Sequence, residues 1–422
     1  MRRHMTRPPT AAWLVVVLCL ALATCDKAGG GATQSAGGVK AGPGVTATAI
    51  KLGVLTDLSA VFAPLGKSLV QGTQLYWDQQ NQAGGVCGRK VELTVKDHGY
   101  DPQKAVGLYR AMAPDVLGLQ TLLGSPVVTA LKATIDQDNM LVGLAGWTSA
   151  VLPDPHIQIT GTTYDVETIS AIDWLMRNKG IKSGDKIGHV YFAGDYGENA
   201  LRGSEYMATK QGLQIVKQKI TPADTDLSAQ VAALRAAGVK AIVLSAGPSQ
   251  TASLAGVAKS VGLNVPIVAN GPGFTPQLLK TPAGPALQAN LSVVSSIAPP
   301  ALDTPAAKKV ADAFKAAYPG ATPTQVGSEF GYVQAQVMHA ILQKACDNKD
   351  LTRQGTLTAL RQINGLDTGG LVAGPLDYTS PTQLPTRAIY IAQVDAAAPG
   401  GLKATGGPFQ SDAASGYQPP SS

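Results

Sequence analysis

Along most of this chain, short apolar runs alternate with stretches of helical spacing. Lys51-Leu52-Gly53-Val54-Leu55 reads as a strand. From Gly66 to Gln82, Leu69, Thr73, Tyr76 and Trp77 recur at the helical interval, and Val91-Glu92-Leu93-Thr94-Val95 then alternates strictly. Asp101-Pro102 opens another helix, because Asp can cap and Pro suits the first turn. Leu119–Leu123 stops at Gly124-Ser125-Pro126 and leads into a helix carrying Val128, Leu131 and Ile135, and Leu141–Leu144 follows as a strand. A second series has helices at Ile169–Asn178, Asn199–Gln211 and Thr251–Val261, with Asp226 heading a further helix through Leu234. Its strands are Ile187–Phe192, one beginning at Gln214, Ala241–Leu244 and Val265–Ala269. Helices at Thr304–Ala317 and Gly331–Ala345 and a late strand at Ala388–Val394 complete the pattern. Repeated β-α units of this size predict parallel sheets with helices on both faces, in two lobes.

The two ends read differently. Arg2, Arg3 and Arg7 precede an apolar run from Ala11 to Ala23, too short for a membrane span of roughly 20 residues but suited to a signal peptide, residues 1–24. It ends in Leu22-Ala23-Thr24-Cys25, which looks like a lipobox whose Cys25 takes the acyl anchor. Glycines and small residues over 25–47 predict a flexible linker. Beyond Ala396, Gly, Pro, Ser and Ala dominate, and residues 396–422 are expected to form a disordered tail. This placement puts the chain on the outer face of the bacterial cell membrane, anchored by lipid rather than embedded.

Composition then narrows the chemistry. The formal net charge is +6, and three of those charges are Arg2, Arg3 and Arg7, so about half leave with the leader. The remaining basic residues are dispersed, which excludes a nucleic-acid stripe. Four cysteines are too few for a disulfide scaffold. Cys19 leaves with the leader and Cys25 carries lipid, so Cys87 and Cys346 remain in an oxidising compartment, as a disulfide or as two buried thiols. Gly66-Lys67-Ser68 resembles the end of a phosphate-binding loop, but Val61 stands where that loop needs its first glycine. No nucleophile triad, cofactor fingerprint or metal-ligand spacing is present, so no enzyme, cofactor or metal is expected, and His98, His156, His189 and His339 are scattered singly.

From Ile50 to Ala113 the chain carries a specific pattern: Leu58-Ser59, Gly66, Gly72, Asn81-Gln82-Ala83-Gly84-Gly85-Val86, Gly88-Arg89, Asp97, Asp101-Pro102 and Ala105. Asp195-Tyr196-Gly197, Asp224-Thr225-Asp226-Leu227-Ser228 and Gly331-Tyr332 extend it. With these motifs, residues 48–395 resemble the substrate-binding lipoproteins of branched-chain amino-acid (Leu/Ile/Val) ABC transporters, of the type I periplasmic binding protein family. The resemblance implies an α/β fold of two lobes, each a parallel sheet flanked by helices, closing about a three-strand hinge. It places the N-terminal lobe at 48–160 plus 290–375 and the C-terminal lobe at 161–289 plus 376–395. It implies a monomer that captures an amino acid or related small polar molecule and delivers it to a membrane permease. The same fold without transport would serve a membrane sensor.

The resemblance also implies a site. Ser125, at a strand-to-helix turn, would meet the ligand carboxylate, unless it is only a helix cap. Ala145, Gly146, Trp147 and Thr148 form the next matching loop; Trp147 stands where relatives often carry a small or hydroxylated residue, as a pocket wall or as core packing. Phe62 and Leu65 would line the side-chain pocket, Tyr196 would close over it, and Phe330 or Tyr332 would add a wall. Gln250 falls where amino-acid binders often hold a carboxylate for the ammonium group, and a neutral amide cannot form that charge-assisted bond. Asp195 would substitute if it points into the cleft.

Overall fold

A computed structural model describes residues 33–35 and 38–420. The expected leader and the lipidated Cys25 lie outside the described residues. Two sheets face each other across a cleft. The first lobe holds five parallel strands: β3 (Ala49–Thr56), β4 (Lys90–Asp97), β5 (Gly118–Leu123), β6 (Val142–Ala145) and β7 (Ile157–Ile159), in the order β4-β3-β5-β6-β7. The second lobe's β8 (Lys186–Phe192), β9 (Gln214–Ile220), β10 (Ala241–Ser245), β11 (Ile267–Asn270) and β12 (Leu291–Ser295) are parallel; β14 (Tyr390–Val394) and β15 (Leu402–Ala404) extend the β12 edge antiparallel. In both sheets the first strand in sequence lies inside the second, so the order reverses there and opens a crevice at the strands' carboxyl ends.

The helices follow the expected alternation. α1 (Ala63–Gln82), α2 (Pro102–Met112) and α3 (Ser125–Asp138) belong to the first lobe. α4 (Tyr164–Asn178), α5 (Asp195–Gln211), α6 (Ser228–Ala237), α7 (Pro248–Ser260) and α8 (Gly284–Asn290) belong to the second. α9 (Pro305–Ala317), α10 (Phe330–Asp347) and α11 (Arg353–Leu360) return to the first lobe, where α10 packs along α1. Asp101 caps α2, accepting from the Gln103 and Lys104 N–H groups at 2.8 and 3.3 Å. Asp226 instead accepts from the Ser228 N–H and hydroxyl, just ahead of α6.

Three expectations change. First, Leu291–Ser295 lies in the second-lobe sheet, so the crossing falls at 295–298 rather than at 290. Second, the linker is ordered at its C-terminal end: β2 (Val39–Ala41) pairs with β1 (Thr33–Ser35) and with β13 (Asp350–Leu351), burying Val39 and Ala41. Third, residues 396–420 are folded. They supply β15 and the short helix α12 (Asp412–Ser415). Leu402, Ala413, Ala414 and Tyr417 are buried, and Arg387 donates to the Ala414 carbonyl at 2.8 Å. A few apolar residues and one guanidinium outweigh the loop-like composition of this segment.

The lobes are joined where the chain crosses between them, and the crossings are bonded to one another. The Thr162 N–H donates to Ser296 Oγ at 3.2 Å, the Ala298 N–H to the Leu371 carbonyl, and Tyr378 to the Ile159 carbonyl. Cys87 and Cys346 are paired, their Cα atoms 6.4 Å apart, tying the loop after α1 to the end of α10. No helix among the described residues is long and apolar enough to cross a membrane.

Candidate ligand cleft

The carboxyl ends of both sheets deliver side chains to one pocket. β3 ends at Thr56, and the buried carboxylate of Asp57, the next residue, accepts from the N–H groups of Ser59, Ala60 and Phe62 at 3.1, 2.7 and 2.8 Å. That clamp aims Phe62 inward, with Leu65 one turn into α1. β5 ends at Leu123, and Gly124 turns the chain with φ 109° before α3 begins at Ser125. A Cβ at Gly124 would lie 2.9 Å from the Tyr100 ring, so the turn tolerates no side chain there. β6 ends at Ala145 and passes through Gly146 to Trp147. Tyr164 and Tyr196 enter from the second lobe at the starts of α4 and α5, and Pro272 enters after β11.

Of the expected residues, Phe62, Leu65, Ser125, Ala145, Trp147 and Tyr196 come together in this pocket. Gly146 lies behind Ser125, where a Cβ would sit 3.1 Å from the Ser125 nitrogen. Thr148 caps the turn at Ser149–Val151. Gln250 is buried outside the lining, and its amide donates to the Pro222 and Asp224 carbonyls at 3.1 and 3.0 Å. It serves the loop that would otherwise leave those carbonyls bare. Asp195 is also outside the lining. Phe330 packs behind Trp147, ring centroids 4.7 Å apart, and Tyr332 is turned away, bonded to Gln79 at 2.9 Å. Tyr100, Leu123, Tyr164 and Pro272 also line the pocket and were not anticipated. For Tyr100 a signal existed: it follows Gly99 directly after β4, at the same carboxyl edge.

The lining is aromatic and aliphatic. Phe62 lies 4.9 Å from Tyr100 and 6.4 Å from Tyr196, and Tyr164 lies 4.3 Å from Tyr196, measured between ring centroids. Burial pushes the Tyr100, Tyr164 and Tyr196 phenols upward, so all three stay neutral. Two hydroxyls in the pocket, Ser125 Oγ and the Tyr196 phenol, are buried without any hydrogen-bond partner. α3 has no side-chain cap, so its positive dipole end and the Ser125 N–H lie beside these hydroxyls, although Pro126 has no N–H and the Val128 N–H is spent on the Gly124 carbonyl. No lining residue carries a carboxylate, ammonium or guanidinium. The free volume is about 20 Å³, room for roughly one water. The lobes are therefore closed on each other, with aromatic rings filling the gap.

Among the described residues, one cluster could present metal ligands: Asp136, Asp154 and His156, with ligand atoms within 4.8 Å of one another. Lys132 stands 3.2 Å from Asp154 and 3.6 Å from Asp136, so an ammonium already supplies the countercharge.

A family model described as periplasmic binding protein matches residues 49–400. A fatty acid ABC transporter substrate-binding protein from Thermomonospora curvata is 47% identical, with a TM-score of 0.90, covering 92% of this chain and 99% of that one. A branched chain amino acid ABC transporter from Thermus thermophilus, with bound valine, shares the fold at 18% identity and TM-score 0.78, over 88% of this chain and 98% of its own. The Leu/Ile/Val-binding protein homolog 8 of Brucella abortus is 25% identical over 311 residues, 69% of this chain and 76% of that protein. Two sheets of like topology, closed over a pocket at their carboxyl ends and matched by one model across nearly all the folded residues, lead to one assignment: the chain belongs to the periplasmic binding protein family.

Proposed function

We propose that this chain captures a carboxylic acid with an uncharged, apolar body and delivers it to an ABC permease at the outer face of the cell membrane, where an acyl chain on Cys25 holds it. It acts as a binding protein and not as an enzyme. The observation that carries the ligand class is the makeup of the pocket. An uncapped helix N-terminus and the unpartnered Ser125 and Tyr196 hydroxyls supply donors for an anion, while every other wall is apolar or aromatic. An α-ammonium group would be buried there without a charged partner, which is costly. Gln250 supplies none, because its amide serves the Pro222–Asp224 loop. The relative from Thermomonospora curvata, named for fatty acids, agrees with this class.

The matched pair leucine and 4-methylpentanoate tests it, since the two differ only in the ammonium group. Calorimetric titration should show the acid binding at least tenfold more tightly. Tighter binding of leucine would sink the proposal. For the anchor, Cys25→Ser should move the protein from the membrane fraction to the soluble one; retention at the membrane would count against lipidation.

A further inference from the structure

Trp147 is the most constrained wall of the pocket. Its indole N–H donates to the Thr160 carbonyl at 2.9 Å, at the first crossing between the lobes. Its own carbonyl accepts from the Tyr164 N–H at 2.6 Å. The ring rests edge-on against Phe330 at 4.7 Å and Tyr164 at 5.9 Å, and Phe330 is fully buried. Any rotamer that clears the pocket abandons a buried carbonyl and displaces packed rings. Phe62 and Tyr196 differ. Neither side chain has a hydrogen bond holding it, and they face each other from opposite lobes. They can part as the lobes open, whereas Trp147 stays bonded to the crossing.

We propose that Trp147 sets the size limit of the closed pocket and so selects short, slender acids over longer or bulkier ones. This rests on the acid-binding reading above. The rings together leave room for roughly one water, so an acid enters only as Phe62 and Tyr196 part, and Trp147, bonded to Thr160, is the wall that stays and bounds the space they open. The indole is the largest side chain in the lining, so its removal enlarges the closed state most. Trp147 is thus a specificity-determining residue rather than a carboxylate ligand, because its one polar atom is spent on Thr160.

Titrating wild type, Trp147→Leu, Trp147→Phe and Phe330→Leu with butanoate, hexanoate, octanoate and decanoate tests this. In Trp147→Leu the tightest acid should shift at least one member up the series. The affinity ratio of the longer acid to the shorter should rise about tenfold, as two further buried methylenes imply. Trp147→Phe should fall between, and Phe330→Leu, which alters the ring's support but not the lining, should keep the wild-type order. A purely structural Trp147 would lower the melting temperature and weaken every acid equally, overturning the inference. If Trp147→Leu does not fold, Trp147→Phe alone must still shift the order, or the inference fails. If wild type binds amino acids and no acids, the acid reading falls. Alanine, valine, leucine and phenylalanine then test the size limit by the same shift.

Discussion

At the pocket, the Ser125 and Tyr196 hydroxyls are buried with nothing to bond. In the second lobe, by contrast, buried polar side chains are joined end to end across the sheet. Ser204 Oγ meets His189 Nδ1 at 2.8 Å, and His189 Nε2 meets Ser245 Oγ at 3.0 Å. Ser245 donates to Asn270 Oδ1 at 2.7 Å, and Asn270 donates to Glu167 at 2.9 Å. Glu167 also accepts the Ser296 N–H at 3.2 Å, and Ser296 Oγ accepts the Thr162 N–H. The Ser245 proton is committed to Asn270, so Ser245 accepts from His189, which places the imidazole proton on Nε2 and leaves Nδ1 to accept from Ser204. Burial holds His189 neutral, lowered to about 3. The donors in the run converge on Glu167, from Ser204 on one side and from the hinge on the other. Paired polar groups here fix the lobe and its crossings, while the two hydroxyls that line the pocket are left open.

The sharpest way to break this contrast is to cut the run. Asn270→Leu takes one of two buried partners from both Glu167 and Ser245, which should cost about 3 kcal/mol of stability. Urea unfolding would measure it, and a change below about 1 kcal/mol would mean the run is dispensable.

A second test compares the two buried acids. Glu167 accepts two donors, whereas Glu329 accepts only the Ser328 hydroxyl at 2.6 Å and its other oxygen is bare. Burial raises both to about 8. An unfolded glutamate titrates at about 4.3, so between there and 8 the folded chain holds protons the unfolded chain has lost. The stabilising contribution is full below the unfolded value and is lost as pH rises through 8. His189 runs the other way: it loses stability as pH falls below about 6.5 toward 3. Of these three groups, the two glutamates are the ones that contribute between pH 6.5 and 8. Stability should therefore decline across that window, and Glu329→Gln should remove roughly 2 kcal/mol of the decline at most. An unchanged slope would show that Glu329 does not hold its proton there.

The sheets were legible because their strands are short apolar runs ending at turn residues: Leu119–Leu123 stops at Gly124, and Ser125 and Trp147 were found at such ends. Leu291–Ser295 was missed, since Ser at two of its five positions breaks the apolar run. The C-terminal segment was misread because its order comes from Tyr417, which bonds the distant Asp165 at 3.0 Å, and from Arg387, contacts that composition does not report. Gln250 illustrates a different limit. Its place on α7 was readable, but which way its amide turns depends on the bare carbonyls of a loop 26 and 28 residues away. Tyr164 and Pro272 reach the pocket only because the lobes are closed.

The smallest stability effect should come from Ser125→Ala, and that is what makes it informative. The hydroxyl has no partner to lose, so its removal should change unfolding stability by less than about 0.5 kcal/mol. Its removal also lifts the cost of a bare buried oxygen. A bound carboxylate would turn that oxygen into a charge-assisted donor, worth roughly 1.5–3 kcal/mol. Acid binding should then weaken by about tenfold or more while the unfolding curve of the free protein stays in place. Asn270→Leu should do the reverse, lowering stability with a smaller effect on affinity. If Ser125→Ala destabilised the free protein as much as it weakened binding, Ser125 would be structural after all, and the carboxylate anchor would have to lie elsewhere along the first turn of α3.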